Sequence, residues 1–77
     1  MDLKYYQALV GANIKKYRKV NNITQDVLAT KSDLALRHVQ RIEAGEINIT
    51  LRTLIKLSDS LKVNPADLVK DDHRSAL

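Results

Sequence analysis

The 77-residue sequence has no cysteine, tryptophan or phenylalanine, only one proline and only two glycines. Without cysteine, neither a disulfide nor a thiolate metal site can stabilise the fold, which also fits a reducing compartment. No apolar run approaches the roughly 18 residues that a membrane span needs, and the polar N-terminus lacks the apolar core of a signal peptide. These absences predict one small cytoplasmic domain with no membrane segment.

The positive charge is concentrated in the N-terminal part of the chain. Of the 13 basic and nine acidic residues, eight basic and four acidic ones lie in residues 1–45, which therefore carry the whole formal charge of +4. Residues 46–77 contain five residues of each sign. This asymmetry indicates a polyanion as a candidate partner on one side of the fold.

Apolar residues recur at helical spacing along the chain, and no segment sustains the alternation of a strand. The sequence therefore predicts an all-α fold, with one domain over residues 1–70 and a C-terminal tail over 71–77. Capping signals divide the domain into five helices, predicted over 3–20, 25–30, 35–43, 51–61 and 65–70. Gly11 lies inside the first of these helices at a cost of about 1 kcal/mol relative to alanine, so we expect a close helix contact there.

A turn of only four residues, 31–34, separates the second and third predicted helices. This spacing is typical of a helix-turn-helix, whose second helix enters the major groove of DNA. In the third helix, Arg37 and Arg41 lie four residues apart and so share a face, away from the apolar Val39 and Ile42. A guanidinium can donate two hydrogen bonds to guanine, so this face is a candidate for contacts with DNA. The alternative is that the two arginines form a basic face that is merely solvated.

Three stretches together resemble the lambda-repressor-like helix-turn-helix family, also called the Xre or Cro/C1 type. They are VGANIKKYRKVNNITQDVLA, SDLALRHVQRIEAG and NITLRTLIKLSDSLKV, which occur in family order over residues 10–63. The chain length and the INITLRTL run also resemble the controller proteins of restriction–modification systems, a subset of this family. The resemblance implies a five-helix DNA-binding domain in which helices 2 and 3 form a helix-turn-helix. It also implies that the protein is a transcriptional regulator that binds specific sequences of double-stranded DNA.

The resemblance also implies roles for individual residues. The positions that face DNA bases are Leu36, Arg37, His38 and Arg41. For Gln25 the resemblance implies a phosphate contact, and we predict the same role for Thr24 and Asn48. Arg18 and Glu43 match a structural ion pair. For four of these residues a simpler role stays open. His38 could pack at the edge of the core, Leu36 could be an exposed leucine, and Thr24 and Gln25 could be merely a helix cap and the first residue after it.

Two residues depart from the family pattern at the start of the third helix. Asp33 stands where glycine is common, and Ala35 stands where serine or threonine often caps this helix. Either the helix is less well capped, or Asp33 takes over the capping role. The orientation of the helix start depends on which of these holds.

One recognition helix contacts only a few base pairs, so we expect a homodimer on a palindromic operator. The C-terminal part of the chain contains more apolar residues than a single core-facing stripe requires. The surplus residues are candidates for the dimer interface: Leu57, Leu61, Val63, Leu68 and Val69. For Leu61 and Leu68 the alternative is ordinary core packing.

No cofactor, metal ion or small-molecule ligand is evident from the sequence. The two histidines, His38 and His73, have no serine or cysteine nucleophile at recognisable spacing, and the DDHR run at 71–74 cannot converge on one ion. We therefore predict that the protein is not an enzyme. The alternative to DNA binding is a protein-interaction module, such as an antitoxin-type partner-binding protein.

Overall fold

The computed structural model of the chain describes residues 2–71. Within this range the chain forms five helices and no strand, in the order predicted from the sequence. They are α1 (Leu3–Val20), α2 (Gln25–Lys31), α3 (Leu36–Glu43), α4 (Leu51–Leu61) and α5 (Pro65–Val69). The predicted helix limits are confirmed to within one residue. The predicted tail over 71–77 lies outside the described residues, apart from Asp71.

Capping side chains fix most of the helix starts. Three helices begin after a residue whose side-chain oxygen accepts a hydrogen bond from a first-turn N–H, each at 3.0–3.1 Å. These caps are Asp2 on the Lys4 N–H, Thr24 on the Val27 N–H and Thr50 on the Thr53 N–H. At α5, the Asp67 carboxylate accepts from the Asn64 N–H at 3.1 Å, and Pro65 supplies a pre-set first helical residue.

Helix α1 organises the fold, because it packs against α3, α4 and α5. An asparagine within α1 and the asparagine that caps its carboxyl end hold the carboxyl ends of two other helices. The Asn21 amide donates to the Leu61 carbonyl of α4 at 3.1 Å. The Asn13 amide donates to the Leu68 carbonyl of α5 at 2.9 Å. These bonds satisfy carbonyls that a helix end leaves without an intrahelical partner.

Gly11 marks the close helix contact that its position in α1 predicted. A Cβ atom built there would lie 2.4 Å from the Ile42 carbonyl oxygen and 2.9 Å from that of Glu43. Only glycine permits the end of α3 to approach α1 so closely. This approach brings the side chains near the end of α3 within reach of α1.

The core takes one or two residues from each helix. Its buried apolar members are Ile14, Leu28, Ala29, Val39, Ile42, Leu57, Leu61 and Leu68. Three of these residues were predicted to form a dimer surface, and that prediction is wrong: Leu57, Leu61 and Leu68 are 0, 1 and 0% exposed in the single chain. A domain this small has few residues with which to fill its centre, so leucines from α4 and α5 are needed there.

Candidate nucleic-acid interface

Helices α2 and α3 form the helix-turn-helix, joined by the tight turn from Ser32 to Ala35. Asp33 adopts the left-handed conformation that glycine usually supplies at this position, with φ of 54°. The Leu34 N–H donates to the Ala29 carbonyl at 2.9 Å, which closes the turn. The Ser32 hydroxyl donates to the Ser60 hydroxyl of α4 at 2.8 Å. The turn is therefore held both by α2 and by the helix behind it.

Helix α3 begins without a side-chain cap. Ala35 is its N-cap residue and carries no side-chain acceptor, and no side-chain cap bond forms at this end. Of the two alternatives left by the sequence, the less well capped helix is therefore the one observed. The start of α3 is defined instead by the Asp33 turn and by burial of Val39 and Ile42.

The two faces of α3 differ sharply in burial. Val39 and Ile42 are buried in the core. On the outer side, Leu36, Arg37 and Arg41 are exposed, and His38 is partly buried. The four residues predicted to face DNA bases thus occupy the side of α3 that the core does not cover, with His38 at its edge. This surface is basic and contains no acidic residue of α3 itself.

Arg18 and Glu43 form the expected ion pair, which joins α1 to the end of α3. The guanidinium Nε donates to Glu43 Oε2 at 2.7 Å, and Nη2 donates to Oε1 at 3.1 Å. The side chains are only 12% and 4% exposed. The remaining Nη1 group donates to the Ile23 carbonyl, just before α2, at 3.0 Å. The pair therefore fixes both α3 and the entry to α2.

Gln25 takes part in the same network, a contact that the sequence analysis missed. Its amide Nε2 donates to Glu43 Oε1 at 3.1 Å. Glu43 consequently accepts from α1 and from the first residue of α2 while belonging to α3. The two residues lie 18 positions apart, so no local sequence signal could have paired them. An amide nitrogen has two hydrogens, so this bond leaves one for another acceptor.

The other two residues predicted to contact phosphates lie in different surroundings. Thr24 is exposed at the start of α2, and its hydroxyl oxygen already accepts the capping bond. Asn48 is exposed in the loop after α3 and lines an apolar groove. The structure brings Thr24 and Gln25 together at one helix start, whereas Asn48 belongs to the loop between α3 and α4.

The groove at Asn48 is part of a second exposed surface. It has a volume of about 260 Å³ and lies between the start of α1, the 47–51 segment and the end of α5. Leu3, Leu51 and Val69 line it while remaining 58, 69 and 42% exposed. Ile55 is also exposed, one helical turn after Leu51 and on the same face of α4. We call Leu3, Leu51, Ile55 and Val69 the apolar patch.

Two other features are absent from the part of the chain that the structure describes. No group of three histidine, cysteine or carboxylate side chains in residues 2–71 could hold a metal ion. No helix in that range is long and apolar enough to cross a lipid bilayer. Three residues of the DDHR run, at 72–74, lie outside the described residues.

Residues 14–68 match the helix-turn-helix family HTH_3, so the chain belongs to that family, which is of the Xre or lambda-repressor-like type. Its relatives include the control protein C.SmaI of Serratia marcescens, 35% identical over 69 residues that span 90% of this chain and 79% of that protein. The control protein C.BamHI of Bacillus amyloliquefaciens is 34% identical over 62 residues, 79% of this chain and 76% of that protein.

Solved structures agree with this assignment. The crystal structure of the restriction-modification controller protein C.AhdI from Aeromonas hydrophila matches with a TM-score of 0.78 and 27% identity, over 80% of this chain and 94% of that one. A hypothetical transcription factor, NHTF from Neisseria, matches with a TM-score of 0.88 over 99% of this chain and 87% of that one. At 22% identity, the second match bears on the fold alone. The chain is a helix-turn-helix DNA-binding regulator, and the family is regulatory rather than catalytic.

Proposed function

We propose that this protein binds palindromic operators as a homodimer and controls the genes of a restriction–modification system in the cytoplasm. The observation that carries the proposal is the outer face of α3, where Arg37 and Arg41 are exposed opposite the buried Val39 and Ile42. The names of the relatives C.SmaI and C.BamHI, and of the structural neighbour C.AhdI, support the controller role.

In this proposal α3 lies in the major groove. Arg37 and Arg41 donate to guanine O6 and N7, Leu36 contacts a thymine methyl group, and His38 donates to a base edge or a phosphate. Phosphate contacts come from Thr24, Gln25 and Asn48. The second amide hydrogen of Gln25 is available for a phosphate while the first stays on Glu43. Phosphate contacts supply most of the affinity, and the α3 side chains supply the sequence preference.

The apolar patch is the surface that we assign to the second copy of the chain. The sequence predicts five residues for the dimer interface. Of these, Val69 belongs to the patch and Val63 is partly buried against the core, whereas Leu57, Leu61 and Leu68 fill the core. Residues 46–77, which supply most of the patch, have no net formal charge. Two copies that meet through these residues bring together less positive charge than two copies that meet through the basic residues 1–45.

Selection of duplexes from a random-sequence pool, followed by mobility-shift titrations, tests the proposal. We expect enrichment of a palindrome whose half-sites are centred about 10 base pairs apart, or a simple multiple of that spacing. Binding to the enriched duplex should exceed binding to a shuffled duplex and should weaken as salt rises. Enrichment of no sequence, or equal binding to both duplexes, would favour the alternative of a protein-interaction module.

A further inference from the structure

The exposed carboxylate of Glu46 lies beside Arg41, on the side of the molecule where α3 presents its basic residues. Arg41 Nε is 3.4 Å from Glu46 Oε1, and the two side chains are 51% and 57% exposed. Glu46 follows Gly45 in the loop after α3 and has no role in the ion pair between Arg18 and Glu43. It is thus a second carboxylate near the end of α3, and it contacts a predicted base-contacting residue.

The backbone holds Glu46 in this place. Gly45 turns the chain with φ of 77° and donates its N–H to the Ile42 carbonyl at 3.0 Å. The Glu46 N–H donates to the carbonyl of Arg41 itself at 3.1 Å. This is the arrangement of a helix end that closes through a left-handed glycine. The backbone of Glu46 is therefore fixed against that of Arg41, and its carboxylate stays within reach of the Arg41 guanidinium.

The atoms used in the contact matter for recognition. A guanidinium has one hydrogen on Nε and four on its two Nη groups. Because Glu46 accepts from Nε, both Nη groups remain for the paired hydrogen bonds that arginine makes with guanine O6 and N7. We propose that Glu46 is a positioning residue, which holds the Nε edge of Arg41 so that its Nη groups meet a guanine.

The same carboxylate has a second effect on DNA that lacks the operator sequence. In a non-specific complex the protein contacts mainly phosphates, and the negative charge of Glu46 repels them. In the operator complex, water is excluded around Arg41, and the attraction between the two side chains becomes stronger than in the free, solvated chain. Glu46 therefore raises the preference for the operator in two ways.

The inference depends on the proposed base contact of Arg41, so both are tested together. The probes are the most enriched duplex from a random pool and a shuffled duplex, with dissociation constants measured by fluorescence anisotropy. Glu46→Ala should weaken binding to the enriched duplex by about fivefold or more while tightening binding to the shuffled one. Glu46→Gln keeps a carbonyl that accepts from Nε, so it should retain most of the preference for the enriched duplex over the shuffled one.

The matched control is Asp59→Asn, which removes one exposed acid from α4. It should change binding to both duplexes by the same small factor. Thermal melting of each variant shows whether the fold is retained.

Separate outcomes overturn the inference and the function beneath it. If Glu46→Ala tightens both duplexes equally, Glu46 only competes with DNA for Arg41, and the positioning role is wrong. If Glu46→Ala lowers the preference for the enriched duplex equally with and without the Arg41→Ala change, its effect does not act through Arg41. If Arg41→Ala itself leaves the base preference unchanged, the proposed base contact fails whatever Glu46 does.

Discussion

Arg37 and Arg41 share the exposed face of α3 but differ in their surroundings. Arg41 is paired with Glu46, whereas no ion pair forms at Arg37 among the described residues. Both residues lie outside the core, so substituting them should change DNA binding without unfolding the domain.

Alanine at either arginine is expected to leave the fold intact and to weaken binding to the enriched duplex by about 1–3 kcal/mol each. The loss should fall mainly on the bases that each guanidinium contacts, which competition with single-base variants of the duplex measures. Lys19→Ala, on the exposed surface of α1, is the control: it should weaken binding to all duplexes alike. Unchanged affinity in both arginine variants would remove α3 as the recognition helix.

Glu43, unlike the two arginines, contributes to the stability of the fold. Glu43→Ala would remove the carboxylate partner of the mostly buried Arg18 guanidinium and the acceptor of the Gln25 amide, leaving Arg18 only its bond to the Ile23 carbonyl. Because an unpaired buried charge is costly, we expect the free energy of unfolding to fall by about 3 kcal/mol, measured by urea denaturation. Removing Arg18 as well should restore part of that loss. Strictly additive losses in the double-mutant cycle would show that the two side chains do not stabilise each other.

At the scale of the helices, the contact between α1 and α3 depends on Gly11. Gly11→Ala gains about 1 kcal/mol of helix propensity, but the new Cβ would meet two backbone carbonyls of α3. Overpacking of this kind costs about 1–3 kcal/mol, and more where backbone must move. We therefore expect a lower melting temperature and a net loss of stability.

A neighbouring substitution supplies the reference for Gly11. Ala12 is exposed in the same helix, so Ala12→Gly measures the propensity difference without a packing change. If Gly11→Ala instead stabilises the protein by that same amount, the close approach of α1 and α3 is not present in solution.

The helices were predictable because their limits depend on local chemistry. Asp2, Thr24 and Thr50 cap helices through bonds to residues two or three positions away, and such bonds leave a signal in the sequence. The contact between Gln25 and Glu43 joins residues from two different helices. It depends on how α2 and α3 pack, which local patterns do not encode.

The apolar residues of α4 and α5 illustrate a second limit. Helical spacing indicates that apolar residues such as Leu57, Leu61 and Leu68 lie on faces that are covered by something. It does not distinguish burial in the core from burial between two copies of the chain. The structure separates them: these three are buried, while Leu51 and Ile55 on α4 are exposed. Which side of α4 faces inward is decided by its packing against α1, α2 and α5.

At the scale of the whole molecule, the proposed dimer depends on the apolar patch. Leu51→Asp would place a charge on each side of a two-fold interface and should shift the protein towards monomer with its helix content retained. Val20→Asp is the matched control, since Val20 is 73% exposed at the opposite end of α1. Leu57→Asp should unfold the chain, because it buries a charge in the core.

Analytical ultracentrifugation at micromolar concentration, with circular dichroism for helix content, compares these variants. A parent protein that sediments as a monomer would contradict the dimer. Equal dissociation by Leu51→Asp and Val20→Asp would place the interface elsewhere.

The central claim is that the outer face of α3 recognises bases in two symmetric half-sites. The most direct measurement is the base-preference profile obtained by duplex selection with the parent and with Arg41→Ala in parallel. The account predicts a palindromic profile for the parent, and for the variant the loss of preference at one pair of symmetry-related guanines with the other positions retained. An identical profile for both proteins, or a uniform loss at every position, would contradict it.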